Sequence, residues 1–232
     1  MTKRPHSVLA SAGYQLMAPL LNNGKWNPKL EIRAQAKTYK NYISESYFEL
    51  IARTGIENDK NNGNVIAEVE PQVMHAILNV IEGYALGRET LSHVAFNNYN
   101  FTFGRDKKRS ETQRLVSRVI VGLRDGIINI AVIDALDDTR PKITFPFGFD
   151  TRPRGRYSLM LSTEGKEDRS VSSRTAALAY VQAVRDSLNE QMEAAQNRAL
   201  RKAAGEEEEP SSNGRYTETT DAPSSSDDDL PF

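Results

Sequence analysis

The stretch that decides the fold runs from Leu115 to Ala135 and reads LVSRVIVGL, then RDG, then IINIAVIDA. Two apolar runs rich in Val and Ile flank Arg124-Asp125-Gly126. Asp-Gly supplies the positive φ angles of a tight turn whose twist matches that of the flanking strands. The stretch therefore predicts an antiparallel hairpin, Leu115–Leu123 paired with Ile127–Ala135.

Strand signals continue on both sides of this hairpin, at about Val94–Phe103 upstream and at Lys142–Phe147 and Tyr157–Leu161 downstream. Earlier in the chain, Leu30–Lys37 places Leu30, Ile32, Ala34 and Ala36 on one face. Ser46–Thr54, with Tyr47, Phe48, Leu50 and Ile51, and Asn64–Val69 read as two further strands. The turn-forming run Asn58 to Gly63 joins them. Its carboxylates and glycine do not fall at the spacing of a calcium loop. Ala12–Met17 reads as a short first strand.

Two helices separate and close these runs. Pro71 opens the first, Val73, Ile77, Val80, Ile81 and Tyr84 mark its buried face, and Gly87 ends it. The second is expected over about Ser173 to Ala204, with Ala177, Val181, Val184, Leu188, Met192 and Ala195 as its apolar stripe. Arg198, Arg201 and Lys202 sit where cations complement the helix dipole. Four strands and a helix, used twice without any sequence repeat, define an α+β class. In it, antiparallel β-sheets pack with two main helices, which argues against parallel βαβ winding.

A formal net charge of −1 conceals a strong asymmetry. From Glu206 to Phe232 there are nine acids and one base, Arg215, a net of −8. The preceding residues hold the other 29 cations and 22 carboxylates, a net of +7. Such a division points to nucleic acid. By composition the chain divides into an N-terminal segment 1–28 with Pro5, Pro19 and Pro28, an ordered domain 29–204, and an acidic tail 205–232. The tail is too polar to offset its ordering entropy and is expected to be disordered.

Zero cysteine excludes disulfides, thiol nucleophiles and Cys-based metal sites. No apolar run approaches a membrane span, and no long apolar stretch follows the basic Met1–Pro5, so a cytoplasmic protein is expected. Catalysis finds little support. His6, His75 and His93 are scattered, and no GxSxG, HExxH or P-loop pattern occurs. Asp134, Asp137 and Asp138 could hold Mg²⁺ in a nuclease but read as a solvated turn before Arg140-Pro141. We expect no enzyme, no metal and no cofactor.

Binding is better supported. Phe103-Gly104-Arg105-Asp106-Lys107-Lys108-Arg109 leads into Arg114 and Arg118, and Arg152-Pro153-Arg154-Gly155-Arg156 forms a second basic cluster. Basic loops between strands suit phosphate contacts and make binding salt-sensitive. Lys37, Tyr39, Lys40 and Tyr42 interleave cations and rings. Tyr99, Phe101 and Phe103 form one aromatic row and Phe145, Phe147 and Phe149 another. Cations that track phosphates beside flat rings that stack on bases suit single-stranded nucleic acid. Aromatic alternation also builds sheet cores, so one of the two rows is expected to be core. Tyr39, Tyr42, Phe149 and Tyr157, at strand ends, are the expected exposed rings.

The chain ends Ser226-Asp227-Asp228-Asp229-Leu230-Pro231-Phe232. This closely resembles the acidic tip of bacterial single-stranded DNA-binding proteins, where aspartates precede an aliphatic residue, Pro and Phe and the tip docks on replication and repair proteins. Physically, Phe232 can fill an apolar pocket, Pro231 limits the conformations lost on binding, and the aspartates steer towards a basic rim. The resemblance covers the last six residues closely. The body lacks the early glycine-containing strand of the bacterial OB-fold domain, and the whole looks more like a bacteriophage single-stranded DNA-binding protein with a host-type tip. Its strand–helix order is similar to the DNA-binding RNA polymerase cofactors of N4-like phages and to Whirly-type folds, with an elaborated OB-fold as the alternative.

The resemblance implies a non-enzymatic protein that coats single-stranded DNA in the host cell cytoplasm during replication, recombination or transcription. It would assemble as a homo-oligomer on DNA and recruit replication or repair proteins, or RNA polymerase, through its tip. The rivals are a transcription regulator acting on duplex DNA or RNA polymerase and a Mg²⁺-dependent nuclease.

Overall fold

The computed structural model describes residues 16–56, 63–102, 108–148 and 168–205. Among the described residues, eight strands form two antiparallel four-stranded sheets. Sheet A takes β1 (Leu16–Met17), β2 (Lys29–Tyr39), β3 (Tyr42–Arg53) and β4 (Asn64–Val69), in that spatial order. Sheet B takes β5 (His93–Asn100), β6 (Arg114–Arg124), β7 (Ile127–Asp134) and β8 (Ile143–Pro146). Helix α1 (Pro71–Ala85) follows β4, and helix α2 (Arg169–Ala203) closes the described part. The fold is therefore α+β, a four-strand-plus-helix unit used twice.

The deciding hairpin forms as expected. Asp125 and Gly126 have φ of 51° and 77°, and Arg124 pairs with Ile127. Several elements differ from the sequence reading. The hairpin of β2 and β3 runs further than expected and closes through Lys40 and Asn41, so Tyr39 faces Tyr42 as its last pair. The Lys37–Tyr42 segment is thus a hairpin tip and not a stretch beyond a strand. Strand β5 stops at Asn100, whose side-chain oxygen accepts from the Phe101 backbone N–H at 2.8 Å. Helix α2 starts at Arg169 because Asp168 Oδ1 accepts from the backbone N–H groups of Ser170 and Val171. The expected strand Tyr157–Leu161 lies outside the described residues. Residues 16–28 belong to the fold: β1 pairs with β2, and Leu16, Met17 and Ala18 are buried.

One core fills the space between the sheets and helices. Ile32, Phe48, Leu50 and Ala67 contribute from sheet A, and Val119, Val121, Ile128, Ile130, Phe145 and Phe147 contribute from sheet B. The expectation that one aromatic row is core holds for Phe145 and Phe147, which are fully buried. Each such side chain contributes roughly 1.5–3 kcal/mol through burial. The predicted stripe of α2 is buried at Ala177, Val181, Val184, Leu188 and Ala195, with Met192 packed at its margin. In α1 the buried face is rotated slightly, to Met74, Ile77, Leu78, Ile81, Tyr84 and Ala85, while Val73 and Val80 are partly buried.

Helix α2 lies mainly across β2 and also touches α1, β7 and β3, which ties the two units together. Its Arg185 makes a bidentate pair with Glu82 of α1 at 3.0 and 3.1 Å, and this holds the Glu82 carboxyl below its ordinary range. No helix among the described residues is long and apolar enough to cross a membrane.

Candidate nucleic-acid interface

Each sheet turns one face to the core and one away from it, and the two outward faces differ in chemistry. On the other face of sheet A, β2 and β3 carry Lys29, Glu31, Arg33, Gln35 and Lys37 opposite Arg53, the buried Ile51, Glu49, Tyr47 and Glu45. Charge is largely neutralised within this face. Arg33 and Arg53 both reach Glu31, at 3.1 and 2.7 Å. Gln35 donates to Glu49, and Lys37 pairs with Glu45 at 2.9 Å. That hydrogen bond holds the Lys37 ammonium above its usual range. Lys37 also sits 4.6 Å from the centre of the Tyr47 ring. It was expected to contact nucleic acid, but here it is engaged with its own sheet.

The outward face of sheet B is built differently. Its rows, read from the register, are His93, Gly122, Asn129 and Pro146; Ala95, Ile120, Ala131 and Thr144; and Asn97, Arg118 and Ile133. A register shift after Asn98 leaves Val116 without a β5 partner and sets Tyr99 against Leu115. Among the described strand residues of this face there is no carboxylate. Arg118 Nε donates to Asn97 Oδ1 at 2.7 Å, which fixes the guanidinium on the sheet without neutralising it. Tyr99 is 55% exposed.

The chain beyond β5 extends this face. The Arg109 guanidinium stacks on the Phe101 ring at 3.4 Å. Ser110 N–H donates to the Thr102 carbonyl at 2.7 Å, and Ser110 Oγ accepts from Thr102 N–H at 3.0 Å. These bonds clamp the two ends of the basic stretch between β5 and β6. Lys108 and Arg109 are exposed, as is Arg114 at the start of β6.

The hairpin tip of sheet A carries a separate aromatic cluster. Tyr39 and Tyr42 are 57% and 56% exposed, as expected of them. Their rings meet edge to face at 5.7 Å, and the Lys40 ammonium lies 5.5 Å from the Tyr39 ring. This tip is at the far end of β2 from Lys29, about 33 Å away at strand rise. Lys29 pairs with Arg53, and Arg53 with Asn64. Arg140 links this near end of sheet A to sheet B: Nη1 donates to the Asn64 carbonyl at 2.9 Å and lies 3.6 Å from Asp134. Asp134 pairs with Ser117, and Ser117 with Asn98 beside Tyr99. The structure thus joins Arg109, Arg114 and Arg118 to the near end of sheet A, and leaves Lys37, Tyr39, Lys40 and Tyr42 at the other end.

Two of the three aspartates considered for metal are engaged locally. Asp134 accepts from Leu136 N–H and lies near Arg140, while Asp137 accepts from the Thr139 backbone and hydroxyl. Among the described residues no three His, Cys, Asp or Glu side chains converge as metal ligands would. Arg105, Lys107, Phe149, Arg152, Arg154, Arg156 and Tyr157 lie outside the described residues, as do Asp227, Asp228, Asp229, Leu230, Pro231 and Phe232.

Sequence reasoning passed over two residues. Tyr99 does not share a strand row with Phe101 and Phe103, because the strand ends before Phe101, and Tyr99 is exposed on the sheet. Trp26 is 43% exposed, and its position between Lys25 and Lys29 was the signal available. Comparison of the chain with protein-family models, curated proteins and solved structures yields no match.

Proposed function

We propose that the protein is a non-enzymatic single-stranded DNA-binding protein that coats DNA largely without sequence preference and recruits other proteins through its acidic C-terminal segment. One observation carries the DNA-binding half: the outward face of sheet B presents Tyr99, Asn97 and Arg118 with no carboxylate among its described strand residues, bordered by Arg109 on Phe101 and by Arg114. An exposed ring gives a base a stacking surface, and arginines held by neutral partners keep their charge for phosphates. The outward face of sheet A, with Glu31, Glu45 and Glu49, lacks that electrostatic character.

The recruiting half rests on Asp227-Asp228-Asp229-Leu230-Pro231-Phe232 and its resemblance to the tips of bacterial single-stranded DNA-binding proteins. Replication or repair proteins, or RNA polymerase, are the partner classes this implies. A phage setting, with coating of DNA during replication, recombination or transcription by several copies side by side, is the context that fits.

Fluorescence anisotropy with labelled single-stranded and duplex oligonucleotides tests this reading. The wild type is expected to prefer single strands and to weaken steeply with salt. Tyr99→Ala is expected to cost about 1–3 kcal/mol of binding, as loss of one stacked base does. Arg118→Ala should reduce the salt slope by about one contact. Equal affinity of both variants and the wild type would remove sheet B as the interface. A preference for duplex would favour a transcription regulator.

A further inference from the structure

The loop between β1 and β2 is held at several points. Ala18 N–H donates to the Pro28 carbonyl at 3.0 Å, Asn27 Nδ2 to the Ala18 carbonyl at 3.0 Å, and Lys25 N–H to the Gly55 carbonyl at 2.9 Å. Gly24 and Ile56 form a β-bridge. Gly55, at φ 76°, fits against Trp26 so closely that a Cβ there would lie 2.2 Å from the Trp26 carbonyl oxygen. A loop fixed this firmly nevertheless leaves 43% of its tryptophan exposed. The Lys29 ammonium stands 6.0 Å from the ring.

At the Lys29 end of this otherwise neutralised face, cations outnumber carboxylates. Lys29 sits opposite Arg53, Arg33 is four residues further along β2, and the intervening Glu31 is already bridged by both guanidinium groups. Lys25 adjoins Trp26 in the chain. The buried Arg140 ties this end of sheet A, at the Asn64 carbonyl, to the Asp134 end of β7 in sheet B.

From this we infer that Trp26 is a second base-stacking platform, with Lys29 beside it as a phosphate contact, for a single strand that also lies on sheet B. The inference rests on the proposed single-stranded DNA-binding function and extends it to a corner of sheet A. It also assigns the DNA path to the near end of sheet A, away from the Tyr39–Tyr42 tip.

Trp26 is the only tryptophan of the chain, so its emission is a site-specific reporter in the unmodified full-length protein. The experiment titrates oligo-dT while reading tryptophan emission and, in parallel, the anisotropy of a labelled oligo-dT. Emission should be quenched along the same isotherm as the anisotropy. Trp26→Ala should bind about five- to one-hundredfold more weakly, and Trp26→Phe, which keeps a ring, should recover most of the loss. Far-UV circular dichroism and a urea melt check that both variants fold. Unchanged emission while anisotropy reports binding overturns the inference and leaves the proposed function standing. Quenching with full affinity in Trp26→Ala also overturns it, since the ring is then near the strand but not in contact. Absence of binding by either probe removes the function and the inference together.

Discussion

Gly55 shows what single residues settle here and what sequence can tell about them. As a glycine after Thr54 it marks the end of β3, but nothing in its neighbourhood announces that its φ of 76° serves to seat Trp26. That requirement arises between segments nearly thirty residues apart, and a pattern read along the chain does not contain it. Gly55→Ala would force an L-residue into left-handed backbone, at about 1–2 kcal/mol, and drive its Cβ against a backbone carbonyl that cannot yield cheaply. The expected outcome is a loss of about 2 kcal/mol or more in urea unfolding, with a shift of Trp26 emission as the loop is displaced. A variant with wild-type stability and unchanged emission would show that the loop adapts freely. Asp125, by contrast, was legible: Asp-Gly between two apolar runs names its own turn type.

At the scale of elements, core-facing periodicity was legible and element ends were less so. The stripe of α2 from Ala177 to Ala195 follows from spacing alone, yet the helix starts four residues before the position expected from that spacing. The first turn is rich in serine, and its burial is tertiary: Ser173 Oγ accepts from Ile128 N–H at 2.9 Å. Asp168 sets the boundary, accepting from Ser170 Oγ and from two backbone N–H groups. Bonds to the Ser170 hydroxyl and the backbone hold its carboxyl below the ordinary 3.8. The folded protein therefore favours the ionised form. The stabilisation is fully present above the ordinary value and is lost as pH falls through the lower folded one. Asp168→Ala should lower the urea midpoint at pH 7, and the gap to the wild type should close in acid, below pH 3.8. A gap that persists unchanged in acid would mean that Asp168 acts through packing and not through its charge.

At the scale of the whole molecule, the separation of charge was legible and its arrangement in space was not. A body of +7 and an acidic segment of −8 can be read directly from the chain. Which sheet face is basic depends on which carboxylates find partners, and that follows from register: Glu45 opposite Lys37, Glu31 beside Arg33 and Arg53, no acid opposite Arg118. Under the proposed function, residues 206–232 compete with DNA for the basic face, because opposite charges of similar size on one chain attract at low ionic strength. Deleting them should strengthen oligo-dT binding several-fold at low salt. Most of that gain should vanish once added salt shortens the Debye length to about 8 Å. Phe232→Ala removes the apolar anchor but no charge, so it should leave DNA affinity unchanged while abolishing capture of a tip-binding partner. If truncation weakens DNA binding, the acidic segment is not a competitor. If Phe232→Ala impairs DNA and partner binding alike, the two activities do not divide between body and tip.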